Sequence, residues 1–239
     1  MTIAASFTPK PAILSFAITH ELLTMRLFLD SLENNNFRMK RIFMAVVLAC
    51  FALAISAQIK VNYQGAKPNI TDLAWALVTY ISEDSDGENE AINVMRDALS
   101  RYRKGVAQPA GETLIVDQAN GYIRYERKDG DHLQVNEMCY WNEADKKHKL
   151  FAHNVACYSN GKSDPGQYDG ITFYRYTNAT KRLDLYYGDL FYNLYASDID
   201  AWNTFSLPRA GKDIVVTTWY QDGRKKQKTA KWTGTYFDM

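Results

Sequence analysis

The chain has only three cysteines, Cys50, Cys139 and Cys157, and four histidines. It has no C-x-x-C pair and no H-E-x-x-H, so the spacings that build common zinc sites are missing. No G-x-S-x-G turn is present to raise a serine nucleophile. His148 and His153 are five residues apart, which on a strand puts them on opposite faces rather than around one ion. These histidines are expected on a sheet surface or edge. The sequence therefore implies no cofactor and no metal, and it assigns no catalytic residue. Asp and Glu are plentiful enough for a glycosidase-type pair, but sequence spacing does not place one.

An excess of charge of one sign is also lacking. The formal net charge is +1, and over residues 58–239 there are 23 basic against 24 acidic side chains. Nucleic-acid binding needs a concentrated basic surface, so it is not expected. Long apolar runs are absent except for one, Ile42–Ile55, of fourteen residues. A membrane span needs about 18–20, and no comparable run follows, so residues 58–239 are expected to contain no membrane span.

That single run has a recognisable setting. Met39-Lys40-Arg41 precedes it and Ser56-Ala57 closes it. A positive start, a short apolar stretch and a small-residue exit are the parts of a secretory signal. The expectation is a signal peptide at 39–57 and a chain exported to the periplasm or the extracellular space. Residues 1–38 carry no domain signature and read as an upstream mis-start. Val47-Leu48-Ala49-Cys50 resembles the lipobox of bacterial lipoproteins, which makes anchoring through Cys50 an alternative. The apolar residues that continue after Cys50 argue against it.

Residues 58–239 suit one domain with a sizeable core and hold every one of the 16 tyrosines and 5 tryptophans. Ile70, Leu73, Ala74, Leu77, Val78 and Ile81 recur at helical spacing behind Asn69 as N-cap. Ser85 and Glu88 read as a capping box for a second helix, with Ile92, Met95, Leu99 and Tyr102 as its stripe and Gly105 as its stop. Glu83, Asp84, Asp86, Glu88 and Glu90 crowd this turn. They read as a solvated capping turn rather than a Ca²⁺ loop, because Gly87 comes too early for an EF-hand.

After Pro109, β-branched and aromatic runs alternate with turn residues. Asp129-Gly130 is expected to turn a first hairpin. A loop at 142–147 would join the next pair, setting Cys139 opposite about Phe151. Cys157 then falls about 20 Å away, too far for a disulfide in a compartment that would permit one. Asn178–Lys181 would join Ile171–Thr177 to Arg182–Tyr187, and Asp222-Gly223 a last hairpin. Asp189–Trp202 is ambiguous and reads as loop or short helix. The fold class expected is α+β: two N-terminal helices packed on a bent antiparallel sheet of about seven or eight strands. A β-sandwich or half-open barrel capped by helices is the alternative. The element order resembles the cone-shaped nuclear-transport-factor-2-like class, a likeness that concerns fold alone.

Register in the third hairpin puts Arg175 opposite Asp184, Tyr174 opposite Leu185 and Tyr176 opposite Leu183, with the last two pairs on a buried face. Phe173 and Tyr186 then meet on the wet face, where adjacent aromatics serve to stack sugars or apolar ligands, the alternative being that a connection such as Asp189–Trp202 folds over and buries them. In the last hairpin Lys226 is expected opposite Trp219, as a cation–π pair. It belongs to the run Arg224–Lys228, which suits either an anionic glycan or lipid head group or edge-strand protection. Phe173, Tyr186, Trp219 and Lys226 are the candidate ligand-binding residues. The function expected is an exported, non-catalytic binding domain whose partner is a small molecule, glycan or protein. A hydrolase of envelope or dietary polymer and a structural or protein-interaction module are the alternatives.

Overall fold

The computed structural model describes residues 58–85, 89–165, 169–186, 194 and 200–239. The leader expected at 1–57, with Cys50, lies outside the described residues, as do Asp86–Glu88 and most of 187–199.

Two helices form where the apolar spacing predicts them. α1 spans Ile70–Asp84 and α2 spans Glu90–Arg103. Asn69 caps α1 with a reciprocal box: its side chain accepts the Asp72 N–H while the Asp72 carboxylate accepts the Asn69 N–H. The cap of α2 is Asn89, whose side chain accepts the Ile92 N–H, and not Ser85 as the sequence pattern suggested. Either residue offers an oxygen to the free N–H groups, and Asn89 is the one directly before the first turn. α2 ends in a Schellman turn. The Val106 N–H bonds to Arg101 O and the Gly105 N–H to Tyr102 O, with Gly105 at φ +68°.

Twelve strands complete the described chain: β1 (Ile59–Lys60), β2 (Glu112–Asp117), β3 (Tyr122–Asp129), β4 (His132–Asn142), β5 (His148–Ser159), β6 (Lys162–Ser163), β7 (Gly170–Thr177), β8 (Arg182–Leu185), β9 (Ala201–Ser206), β10 (Ile214–Tyr220), β11 (Lys225–Trp232) and β12 (Phe237–Asp238). β1 to β8 form one curled antiparallel sheet of eight strands, ordered β1-β8-β7-β5-β4-β3-β2 with β6 beside β5. β9 to β12 form a second, four-stranded antiparallel sheet. Among the described residues no helix is long and apolar enough to cross a membrane.

The large sheet is buried on both faces. On one face Ile123, Met138, Phe151, Tyr174 and Tyr176 pack with Leu73, Leu77, Met95 and Leu99 of the helices. On the other, Tyr122, Cys139, Trp141, Leu150 and Phe173 pack with Phe205, Ile214, Val216 and Phe237 of the small sheet. The small sheet is what the expectation of a single helix-backed sheet lacked. It adds a second layer of sheet to the molecule.

Three turns differ by one residue from the sequence reading. Asp129 pairs with His132, so Gly130-Asp131 is the two-residue loop, with Gly130 at φ +58°. Asn142 pairs with Lys149, so the next turn is 143–148 and Cys139 faces Ala152 rather than Phe151. Asp145 organises this turn by accepting the N–H groups of Lys147 and His148. Trp219 pairs with Lys225, so Lys226 lies opposite Thr218. The third hairpin follows its expected register, including Arg175 opposite Asp184 and Tyr176 opposite Leu183. Leu185 departs from its expected burial and is 46% exposed. β1 pairs with β8 only at Arg182 and Leu183, so among the described residues no strand shields the Leu185 end. Cys139 and Cys157 are free, as the strand separation required.

Candidate functional site

Phe173 is opposite Tyr186, as expected, but this is not an exposed platform. Phe173 is 1% exposed and packs against Trp141 and Phe237, because the small sheet covers the face that was read as wet. Tyr186 instead carries the Arg175 guanidinium 4.3 Å from its ring centroid. Arg175 makes no ion pair with Asp184 across the hairpin. It binds the buried Glu143 carboxylate through two hydrogen bonds, Nε–Oε1 2.7 Å and Nη2–Oε2 2.9 Å.

A cleft opens on the same face of the large sheet, toward the free ends of β3, β4 and β5. Alternate residues on a strand share a face, and residues directly opposite across a ladder do too. Three cross-strand rows therefore line up: Arg124–Glu137–Asn154, Glu126–Val135–Ala156 and Lys128–Leu133–Tyr158. Phe205 and Ser206 of β9 stand over these rows, and the turns at Gly130-Asp131 and Asn160-Gly161 close the far end. The cleft has a volume of about 480 Å³. Its floor is apolar, from Leu133, Val135 and Ala156, and its rim carries the charges of Arg124, Lys128 and Asp131.

Glu137 holds the inner end of the cleft together. It is 2% exposed and accepts four hydrogen bonds. Oε1 takes the Tyr122 hydroxyl at 2.6 Å and Arg124 Nη1 at 2.7 Å. Oε2 takes Asn154 Nδ2 at 3.3 Å and the Leu207 backbone N–H at 3.0 Å. Asn154 also donates to Phe205 O at 2.8 Å. One carboxylate and one amide thus fasten the β9 end of the small sheet to the large one. Burial, then the nearby Glu137 charge, pushes the Tyr122 phenol above its ordinary range. With its acceptor positions engaged, Glu137 is built to hold position.

Beyond the cleft, β9 runs on beside β10. Ser206, Thr204 and Trp202 share one face, opposite Val215, Thr217 and Trp219 of β10. The Tyr158 hydroxyl reaches Thr204. Trp202 Nε1 donates to Ser163 Oγ at 2.9 Å, and Trp219 Nε1 donates to Thr204 Oγ1 at 2.9 Å. Both indoles are half-buried and held in place by these bonds. Lys225, not Lys226, lies over the Trp219 ring, 5.5 Å from its centroid. Trp219 lies outside the cleft, whose lining on β9 is Phe205 and Ser206, while Lys226 points to the opposite face of its hairpin. The sequence offered no signal for the cleft itself, since its rows come from three strands and β9.

Other titratable groups have structural explanations. Glu143, Asp145 and His148 bring ligand-type atoms within 4.8 Å of one another. Glu143 is already taken by Arg175. Asp145 Oδ2 is 2.5 Å from His148 Nδ1, which, with backbone N–H groups, holds its carboxyl below the ordinary range. Contrary to expectation, His153 is not on a surface. It is buried with Nε2 3.2 Å from Asn136 Oδ1, and burial lowers its pKa to about 4. Burial raises the Cys139 thiol well above its usual range and, aided by Asp169, pushes Cys157 up to about 12. Neither is a ready nucleophile. No protein-family model, curated protein or solved structure matches this chain.

Proposed function

We propose that this chain is an exported, non-catalytic binding domain that holds a glycan unit or another amphipathic small molecule in the cleft beside β9. The observation that carries this reading is the cleft itself. A recess of about 480 Å³ falls in the usual range for small-molecule sites, about 300–1,000 Å³. It combines an apolar floor with a few polar groups at its edge, the combination that seats a ring and orients its substituents. The phenol of Tyr158 is the natural stacking surface. Arg124 is fixed by hydrogen bonds to Glu126 and Glu137 at 2.7 Å each, so it is presented to a ligand in one orientation. Export rests on the sequence at Met39–Ala57.

A thermal-shift and calorimetric screen of oligosaccharides and apolar small molecules tests the cleft. Leu133→Trp should fill it and Tyr158→Ala should remove its stacking wall. Ligands found with the wild-type protein should bind both variants at least about tenfold more weakly, the loss of about 1.4 kcal/mol. Undiminished binding to folded Leu133→Trp would refute this site. N-terminal sequencing of exported protein should begin at or near Gln58. A mature chain retaining residues 1–38, or lipid on Cys50, would overturn the processing assignment.

A further inference from the structure

We infer that the β10–β11 hairpin is a second binding site, separate from the cleft, and that its partner is an acidic polysaccharide lying along the open edge of β11. Arg224, Lys225, Lys226, Lys228 and Lys231 fall within eight residues, and all are exposed. Arg224 is neutralised locally by Asp222 at 2.6 Å. Among the described residues, Lys225, Lys226 and Lys228 have no carboxylate within ion-pairing distance. Three uncompensated cations on one strand make a field that favours a polyanion.

Register says how they are deployed. Lys225 lies opposite Trp219 on one face of the hairpin, while Lys226 and Lys228 lie opposite Thr218 and Val216 on the other. β11 is bonded to β10 along its length, but to β12 only at Lys231 and Trp232. Among the described residues its outer edge has no neighbour strand from Lys225 to Ala230, so alternate backbone N–H groups there face outward. Ammonium groups on both sides of a free edge form a linear cradle for a chain of anionic groups.

Edge protection alone accounts for lysines on β11. It does not call for the aromatic surface beside them. Trp202 and Trp219 are directly opposite each other across β9 and β10. Their indole N–H groups are tied down by Ser163 and Thr204, which fixes the rings in orientation. Beside them on the same face are Thr217 and Gln227, joined at 3.1 Å, and the Lys225 ammonium. Fixed indoles next to hydroxyl, amide and ammonium groups suit a sugar ring bearing a carboxylate. Ring stacking meets the tryptophans, and charge meets the lysines.

The test uses purified protein and polygalacturonate as the acidic polymer, with dextran as the neutral one. Wild-type protein should bind polygalacturonate in calorimetry at about 20 mM salt and lose most of that affinity by about 200 mM. Dextran should not bind. Replacing Lys225, Lys226 and Lys228 by Ala, all on exposed positions that the fold does not need, should weaken binding at least about tenfold. Trp219→Ala should weaken it beyond what added salt removes. The cleft variant Leu133→Trp should bind polygalacturonate as the wild type does, so this result stands or falls independently of the cleft. Unchanged binding by the triple lysine variant would overturn the inference, as would dextran binding equal to polygalacturonate. Failure to bind polygalacturonate while phosphatidylglycerol vesicles capture the protein would do the same.

Discussion

Between about pH 6.5 and 4, acid should destabilise this domain through His153. It is 7% exposed in the middle of β5, where the ladder sets it between Met138 of β4 and Thr172 of β7. Among the described residues its hydrogen-bond partner is Asn136 Oδ1. Among the described residues no carboxylate pairs with the ring, and burial drops its pKa from 6.5 to about 4. Above about pH 6.5 the ring is neutral in the folded and unfolded chain alike, and its stability is intact. As pH falls from 6.5 toward 4, the unfolded chain takes up a proton that the folded one refuses, so stability declines. Below about 4 the full loss is reached, about 3 kcal/mol at 1.36 kcal/mol per pKa unit. Against a typical total of about 5–15 kcal/mol, that is a large fraction. Urea unfolding at a series of pH values should show this decline in the wild type. His153→Gln, which keeps a donor toward Asn136, should flatten the same interval. The carboxyls held low, such as Asp117 and Asp145, lose stability in more acid solution and do so in both proteins. Equal pH slopes between 6.5 and 4 would refute the reasoning, and so would an imidazole resonance of His153 titrating near 6.5.

Three further outcomes follow from the burial pattern. Phe173→Ala should cost about 3–5 kcal/mol because it opens a cavity between the two sheets, while Leu185→Ala should cost less than about 1 kcal/mol; denaturation midpoints at constant slope decide it. Glu137→Gln should cost about 3 kcal/mol, since it removes the charge facing Arg124 and turns an amide N–H₂ toward groups that are themselves donors; a cost below about 1 kcal/mol would mean that the junction does not depend on it. Peptide mapping without reductant should find Cys139 and Cys157 unlinked, and alkylation of the folded protein should reach half-buried Cys157 before Cys139, which is 3% exposed.

Local patterns were legible wherever one residue's chemistry decides the outcome. The stripe from Ile70 to Ile81, the Asn69 cap and the glycine stop at Gly105 all act within a turn or two of chain. The Asn178–Lys181 loop was legible because its flanking residues admit one pairing. The other three turns slipped by one, since several adjacent residues there satisfy the same turn chemistry and the choice falls to packing across the ladder. The slip at 143–148 moved the partner of Cys139 from Phe151 to Ala152. The slip at Asp222-Gly223 moved the cation over Trp219 from Lys226 to Lys225.

The misreading of Phe173 has a different cause. Alternation along β7 shows that Tyr174 and Tyr176 share a face, but it does not say whether the other face meets water. A signal was present elsewhere: Met138-Cys139-Tyr140-Trp141 and Leu150-Phe151-Ala152 are unbroken apolar runs, the pattern of strands covered on both sides. What covers them is the small sheet, more than thirty residues further along the chain, and nothing near β7 encodes that contact.

The sequence by itself determined the two helices, the antiparallel hairpins and the separation of the thiols, because these depend on residues close in the chain or on strand length. Only the tertiary structure decided that Phe173 is core, that His153 is buried, and that the cleft forms. Each of these depends on which surface lies over the sheet, and that contact joins distant segments through burial and through the hydrogen bonds of Glu137 and Asn154.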